Sequence, residues 1–282
     1  MNSEKNDNLL KYSLNSPWQF VLVMLVYLVG AVGFPISIFT WLIKGYPSAD
    51  LVGIFFARII CCILPIYLIF SLKLKKILSF KGIFNKFITI IPFLLVAINN
   101  FPIISIYTNN AIFIKQNWHE WLFYVLAIFG GVLLEEVTFR GLILPTLYRK
   151  LKGKKHDAFL SVLYSSLLFG GAHIVNLLIT GNIGAVVMQV GYSFLIGGMC
   201  AIAFIKTGCF YNAIILHFIF NFGGMLFNYE MISGNIWDLA TIIITAVLAI
   251  LVIIYAIYIL LRGSNSQFNE KVIVKSCNHN NS

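Results

Sequence analysis

The chain has 282 residues, of which 60% are hydrophobic and only 11% charged, and its mean hydropathy is +0.89. That composition excludes a soluble globular protein and marks an integral membrane one. The net charge of +10 would elsewhere suggest nucleic acid, but here the basic residues sit in the loops between apolar runs, so nucleic acid is excluded as a partner and the charge is read as a topology signal.

In chain order, Met1 to Ser16 is polar and mixed in charge. The apolar run after it is too long for a signal-peptide core and has no evident cleavage site, so residues 1–16 are expected to be a retained cytoplasmic tail. Apolar runs near the roughly 20 residues that span a bilayer then cover Pro17 to Ile43, Leu51 to Leu72, Phe87 to Tyr107, Trp118 to Tyr148, Ala158 to Ile179, Gly184 to Ile205, Cys209 to Tyr229 and Ile236 to Leu261. None shows the alternation of a membrane strand, and lipid does not tolerate unpaired backbone groups. The expected fold is therefore all-α, a polytopic bundle of about eight transmembrane helices forming one domain over residues 17–262, with a kink at Pro145. Lysines and arginines follow the second, fourth, sixth and eighth runs (Lys73 to Lys86, Arg149 to Lys155, Lys206, and Arg262 with Lys271 and Lys275), whereas the opposite side has Lys44 and Lys115. This bias puts both termini in the cytoplasm. Residues 263–282, rich in Asn and Ser, are expected to be a flexible tail. Cys61, Cys62, Cys200, Cys209 and Cys277 lack metal-binding or redox spacing and read as apolar packing residues.

Ionisable groups inside a bilayer cost several kcal/mol each and are functional candidates by default. Away from helix ends they are Arg58, Glu135, Glu136, Arg140, His173 and His217. Glu136 and Arg140 are four apart with the acid first, the spacing of a helical ion pair. Glu135 is turned about 100° from Glu136 on a helix and needs another role, either as a member of a buried structural network or as a general base. His173 shares a face with Phe169 beside Gly170 and Gly171, which allow close helix approach. Asn176 is placed to orient that imidazole or to line the same cavity. His217 and Asn221, again four apart, converge on one side of their helix, as an interhelical hydrogen-bonding pair or as paired donors to a ligand. Ser165, Ser166 and Ser193 have no base at motif spacing and read as packing residues. Arg58 has three readings: snorkelling to the interface, pairing with a carboxylate such as Glu135, or binding a substrate's C-terminal carboxylate. Counted along straight helices at 1.5 Å per residue, Glu135, His173 and His217 can meet at one depth.

Three motifs follow in order, EExxxR from Glu135 to Arg140, FxxxH from Phe169 to His173 and HxxxN from His217 to Asn221, each on its own apolar run. The set resembles the CPBP family of intramembrane proteases, which includes CAAX proteases and bacteriocin-processing enzymes, and the turn from Lys206 to Phe210 resembles the one that precedes the family's third motif. The resemblance covers the second half of the chain; the first three runs carry no family signature.

It implies an intramembrane endopeptidase that hydrolyses a peptide bond of a membrane-associated protein or peptide. Glu135 and His173 would activate water, His217 and Asn221 would stabilise the oxyanion, and Glu136, Arg140, Phe169 and Asn176 would support the site. Glu135, His173 and His217 form a set that zinc could accept. No HExxH is present, however, and the three come from separate helices, so a metal-free, glutamate-dependent mechanism is favoured and no cofactor is expected. The substrate-binding residues and the substrate are not legible. The alternative within the family is a bacteriocin self-immunity or regulatory membrane protein that acts by binding. A transporter is disfavoured because no internal repeat and no matched pair of broken helices is present. The expected partners are the bilayer and the substrate, and the abundance of Ile, Lys, Asn and Phe points to a bacterial plasma membrane.

Overall fold

The computed structural model describes residues 14, 16–32, 49–234, 238–262 and 266–272. All eight apolar runs contain helix. Five helices are long and apolar enough to cross a membrane: Asp50–Ser71, Trp118–Leu151, Asp157–Thr180, Ile183–Thr207 and Leu239–Arg262. Shorter apolar helices are Pro17–Val32, Phe87–Asn99 and Phe210–Gly224. The protein is a polytopic helical membrane bundle, as the composition requires. The first run is helical to Val32, and its expected continuation to Ile43, most of the N-terminal tail and Cys277 lie outside the described residues.

We number the α-helices as follows: α1 Pro17–Val32, α2 Ala49–Cys61, α3 Ile63–Ser71, α4 Ile91–Asn99, α5 Ile103–Tyr107, α6 Trp118–Glu136, α7 Leu144–Leu151, α8 Asp157–Ala172, α9 Leu177–Thr180, α10 Ile183–Thr207, α11 Phe210–Gly224, α12 Leu239–Arg262 and α13 Ser266–Val272. The third run is not the single helix expected. It opens with a 3-10 turn, Phe87–Ile90, continues as α4 and breaks before α5. Pro102 lies at the break, where it has no N–H to donate and its ring disfavours a helical conformation for the residue before it.

The disturbance expected at Pro145 lies one turn earlier. Between α6 and α7 the chain widens into a π-helical segment, Val137–Ile143, and Pro145 falls in the first turn of α7, where a missing N–H leaves no helical bond unmade. The proline is thus absorbed by a bulge that also carries Arg140 of the first motif. Beyond α10, Gly208 takes a left-handed conformation with φ +67, which turns the chain directly into α11. The seventh run also ends early, at Gly224 and not Tyr229.

A short antiparallel pairing was not legible in the sequence. Strands β1, Ala111–Phe113, and β2, Ile232–Gly234, pair in the register Ala111↔Gly234, Ile112↔Ser233 and Phe113↔Ile232. Three residues are too few to display strand alternation. The pairing ties the segment before α6 to the segment after α11.

The C-terminal region also departs from expectation, because residues 266–272 form α13. Phe268 and Val272 are fully buried. The Phe268 ring meets Phe204 at 4.9 Å and Tyr148 at 5.0 Å between centroids, edge to face. Arg149 Nε donates to the Val272 carbonyl at 2.8 Å, and the Tyr148 hydroxyl donates to Asn269 Oδ1 at 2.5 Å. The apolar residues at a spacing of four fix α13 against α7 and α10. By contrast, α12 exposes Ile243, Ile250 and Ile254 along its length, as expected of a helix that faces lipid.

Candidate active site

The site is assembled from α6, the π segment, α8, α10 and α11. Glu136, the last residue of α6, is fully buried. Arg140 Nη1 donates to Glu136 Oε1 at 2.8 Å, and Arg140 Nη2 donates to the Gly197 carbonyl at 2.9 Å. The guanidinium also lies over the Phe169 ring, 4.5 Å from its centroid. This close approach depends on Gly197 in α10. A Cβ there would lie 2.9 Å from Phe169 Cδ1 and 3.3 Å from Arg140 Nη2.

His217, from α11 and also buried, stands between the two glutamates. Its Nδ1 is 2.7 Å from Glu136 Oε1, and its Nε2 is 3.3 Å from Glu135 Oε2. The second contact is within ion-pair reach but is not aligned as a hydrogen bond, and Glu135 Oε2 has no hydrogen-bond partner among the described residues. Glu136 Oε1 already accepts from Arg140 Nη1, and the same oxygen accepts from His217 Nδ1. Glu136 therefore does more than pair with Arg140: it fixes the ring of a motif histidine on another helix.

His173 follows α8, at the start of a 3-10 turn, His173–Asn176. Its Nδ1 lies 2.9 Å from the Phe169 carbonyl, which only accepts, so Nδ1 carries the hydrogen, and in the imidazole tautomer with that hydrogen the lone pair is on Nε2. That Nε2 is 4.0 Å from Glu135 Oε1. Phe169 contacts both imidazoles edge to face, at 5.0 Å to His173 and 5.8 Å to His217. Asn176 does not orient His173. Its amide donates to Gln189 Oε1 at 2.8 Å, and the carbonyl of Phe169 does the orienting because the helix end leaves it free to accept. Of the glycines beside His173, Gly170 lies against α10, where an added Cβ would be 3.0 Å from the Val190 carbonyl, while Gly171 faces open space.

These groups surround a cavity of about 130 Å³ whose walls include Glu135, His173, His217, Asn221, Asn176 and Arg58. Asn221 is held there from both sides. Asn100 Nδ2 donates to the Phe220 carbonyl at 2.7 Å, and the Tyr124 hydroxyl donates to the Phe222 carbonyl. All four expected catalytic residues thus face one space. Tyr27, Gln189 and Tyr192 also line it and were not singled out in the sequence. Gln189 could have been, as an amide within an apolar run; Tyr27 and Tyr192 are two of 13 tyrosines with nothing to distinguish them. Arg58 is not paired with Glu135; its Nη1 donates to the Ala127 carbonyl at 2.9 Å. Ser166 donates to the Val162 carbonyl within α8, as a packing residue would.

The zinc set suggested by the sequence was Glu135, His173 and His217. Among the described residues the three candidate ligands whose atoms lie mutually close are instead Glu136, Cys200 and His217. Within that set Glu136 Oε1 already holds Arg140 and His217 Nδ1, and the Cys200 thiol is engaged as a donor to the Ala213 carbonyl at 3.6 Å.

Residues 117–223, which contain α6 to α10 and all but the end of α11, match the family model described as type II CAAX prenyl endopeptidase Rce1-like. The match takes in 107 of the 282 residues, and over that segment the chain is similar to the Rce1-like family. The match begins at the residue before α6 and takes in all three motifs, so the Rce1-like segment is the part of the chain that builds the cavity wall bearing Glu135, His173, His217 and Asn221. α1 to α5, α12 and α13 lie outside it. No curated protein and no solved structure matches the chain.

Proposed function

We propose that the protein is an intramembrane endopeptidase that hydrolyses a peptide bond of a membrane-associated peptide or protein, with Glu135 as the general base. The observation that carries this reading is the spacing of Glu135 and His173. Two acceptors, Glu135 Oε1 and the lone pair of His173 Nε2, face each other 4.0 Å apart in a cavity. That is too far for a direct hydrogen bond and suits one water donating a hydrogen to each.

In the proposed reaction, Glu135 takes a proton as the water oxygen attacks the scissile carbonyl carbon. The resulting oxyanion is met by Asn221 and by His217, which lies between the two carboxylates. Protonated Glu135 then gives its proton to the leaving amine as the C–N bond breaks, so no proton is gained or lost overall. Glu136 and Arg140 position His217, and no serine or cysteine nucleophile is needed.

The substrate class suggested by the family is a peptide presented at the membrane. The test is cleavage of a peptide panel by the purified protein in bilayers, with Glu135→Gln as the control. Glu135-dependent cleavage that persists in strong chelator supports the metal-free reading. Activity lost to chelator and restored by zinc defeats that reading, and equal behaviour of wild type and Glu135→Gln defeats the catalytic one.

A further inference from the structure

The basic loops that set the topology also build a second cavity, a cleft of about 490 Å³. It lies where the chain leaves three membrane-crossing helices. Its walls come from residues 76–85 after the span that ends at Ser71, from Gly208 after α10, and from Glu270 and Lys271 of α13, which follows α12. No residue is shared with the active-site cavity.

The cleft has a fixed base. Lys271 is half-buried, and its Nζ donates to the Ser79 and Lys81 carbonyls at 3.2 and 2.9 Å, which leaves the third N–H of the ammonium for a ligand. The segment that carries those carbonyls is tied to the start of α11, because the Tyr211 hydroxyl donates to the Leu78 carbonyl at 3.0 Å and Asn212 Nδ2 to the Ile83 carbonyl at 2.9 Å. Lys76 and Lys81, both exposed, bring the lining to three ammoniums. Burial first, and then the neighbouring Lys81 charge, hold the Lys271 ammonium below the ordinary lysine value. The one acid of the lining, Glu270, takes part in none of the ion pairs among the described residues. Three cations against one carboxylate leave a net charge of two in a concave site, which concentrates anions.

The same segment indicates where the anion comes from. Phe80, Phe84 and Ile88 are 64%, 82% and 76% exposed, and a group of apolar side chains held outward beside lysines fits a membrane surface and not open water. It sets Lys81 at the boundary between acyl chains and water, where phospholipid phosphates lie. We propose that the cleft binds the headgroup of an anionic phospholipid, with Lys76, Lys81 and Lys271 on its phosphate. Ser79, Asn85 and Glu270 supply acceptors for headgroup hydroxyls, so phosphatidylglycerol, with one phosphate and two free hydroxyls, is the fitting probe. Diffuse attraction between basic loops and anionic lipid predicts no dependence on which lysines are removed. The inference stands apart from the endopeptidase reading.

The test places the full chain in nanodiscs of equal parts phosphatidylcholine and phosphatidylglycerol and counts, by native mass spectrometry, the lipid that stays bound. Wild type is expected to retain one phosphatidylglycerol over phosphatidylcholine by at least about tenfold. The double variant Lys76→Gln with Lys81→Gln is expected to retain the two lipids about equally, while Lys271 and its two carbonyl contacts keep the base of the cleft in place. Lys154→Gln with Lys155→Gln makes the same charge change at two exposed lysines of another basic loop and is expected to keep the wild-type preference. Equal losses in the two double variants, or no preference in wild type, overturn the site.

A second arm separates a lipid from a free anion. In bilayers of phosphatidylcholine alone, added inorganic phosphate is expected to leave the unfolding temperature of wild type unchanged, whereas phosphatidylglycerol in the bilayer raises it, and raises it less in Lys76→Gln with Lys81→Gln. A rise with inorganic phosphate that the same double variant abolishes would overturn the lipid as the ligand.

Discussion

The two neighbouring glutamates of α6 occupy opposite kinds of environment. Glu136 belongs to a dry frame in which Arg140, Gly197, Phe169 and His217 Nδ1 surround it. Glu135, one residue earlier, belongs to a cavity shared with His173, Asn221 and Arg58. One peptide bond separates a carboxylate held by a guanidinium and an imidazole from one that lines the cavity. The difference teaches that adjacent identical residues in a membrane helix are distinguished by the neighbouring helix that meets each face, here α10 for the frame and the end of α8 for the cavity.

That contrast can be broken by substitution. Glu135→Gln is expected to lower peptidase turnover by about 10²–10⁴-fold while leaving the thermal unfolding of the protein in bilayers close to wild type. Arg140→Leu is expected to do the reverse in kind, destabilising the fold by about 3–5 kcal/mol because Glu136 is left buried without its partner; the same unfolding scan measures it. A stable Arg140→Leu protein would show that the frame is not held by this pair.

Asn221→Ala sharpens the reading of the cavity. The loss of one oxyanion donor is expected to lower kcat by about 10²–10³-fold with little change in stability, seen by comparing steady-state kinetics with the unfolding curve. Gly197→Val tests the frame more gently. The added side chain meets Phe169 and Arg140 and is expected to cost about 1–3 kcal/mol, with activity falling as the frame is displaced.

The smallest effect lies outside both regions. Asp238 precedes α12, and the backbone N–H of Thr241 and the Ser105 hydroxyl hold its carboxyl below the usual carboxylate range. A depressed folded-state value means that its contribution is present above the ordinary carboxylate value and is lost as pH falls through the folded one. Wild type is therefore expected to lose slightly more stability than Asp238→Asn between neutral pH and about pH 3, in unfolding scans over that range.

The sequence made the long elements and the three motifs legible for a physical reason: in lipid, apolar length sets the helices, and charge is costly enough that each retained ionisable residue carries information. Glu136 with Arg140 could be read from spacing because both lie on one helix. The link from Glu136 to His217 could not, since it joins residues 81 apart. The same holds for Phe268 in α13, whose buried position depends on Phe204 and Tyr148 arriving from other helices. Pro145 signalled a local disturbance, but not that a π segment would absorb it and carry Arg140 with it. The place of Arg58 was also hidden, because it depends on a gap at Gly131 that only helix packing reveals.

The most direct measurement pairs hydrolysis with thermal stability for wild type and Glu135→Gln in the same bilayers. The account expects Glu135→Gln to unfold at nearly the wild-type temperature with turnover reduced at least about 10²-fold. Undiminished cleavage by a folded Glu135→Gln protein would contradict it.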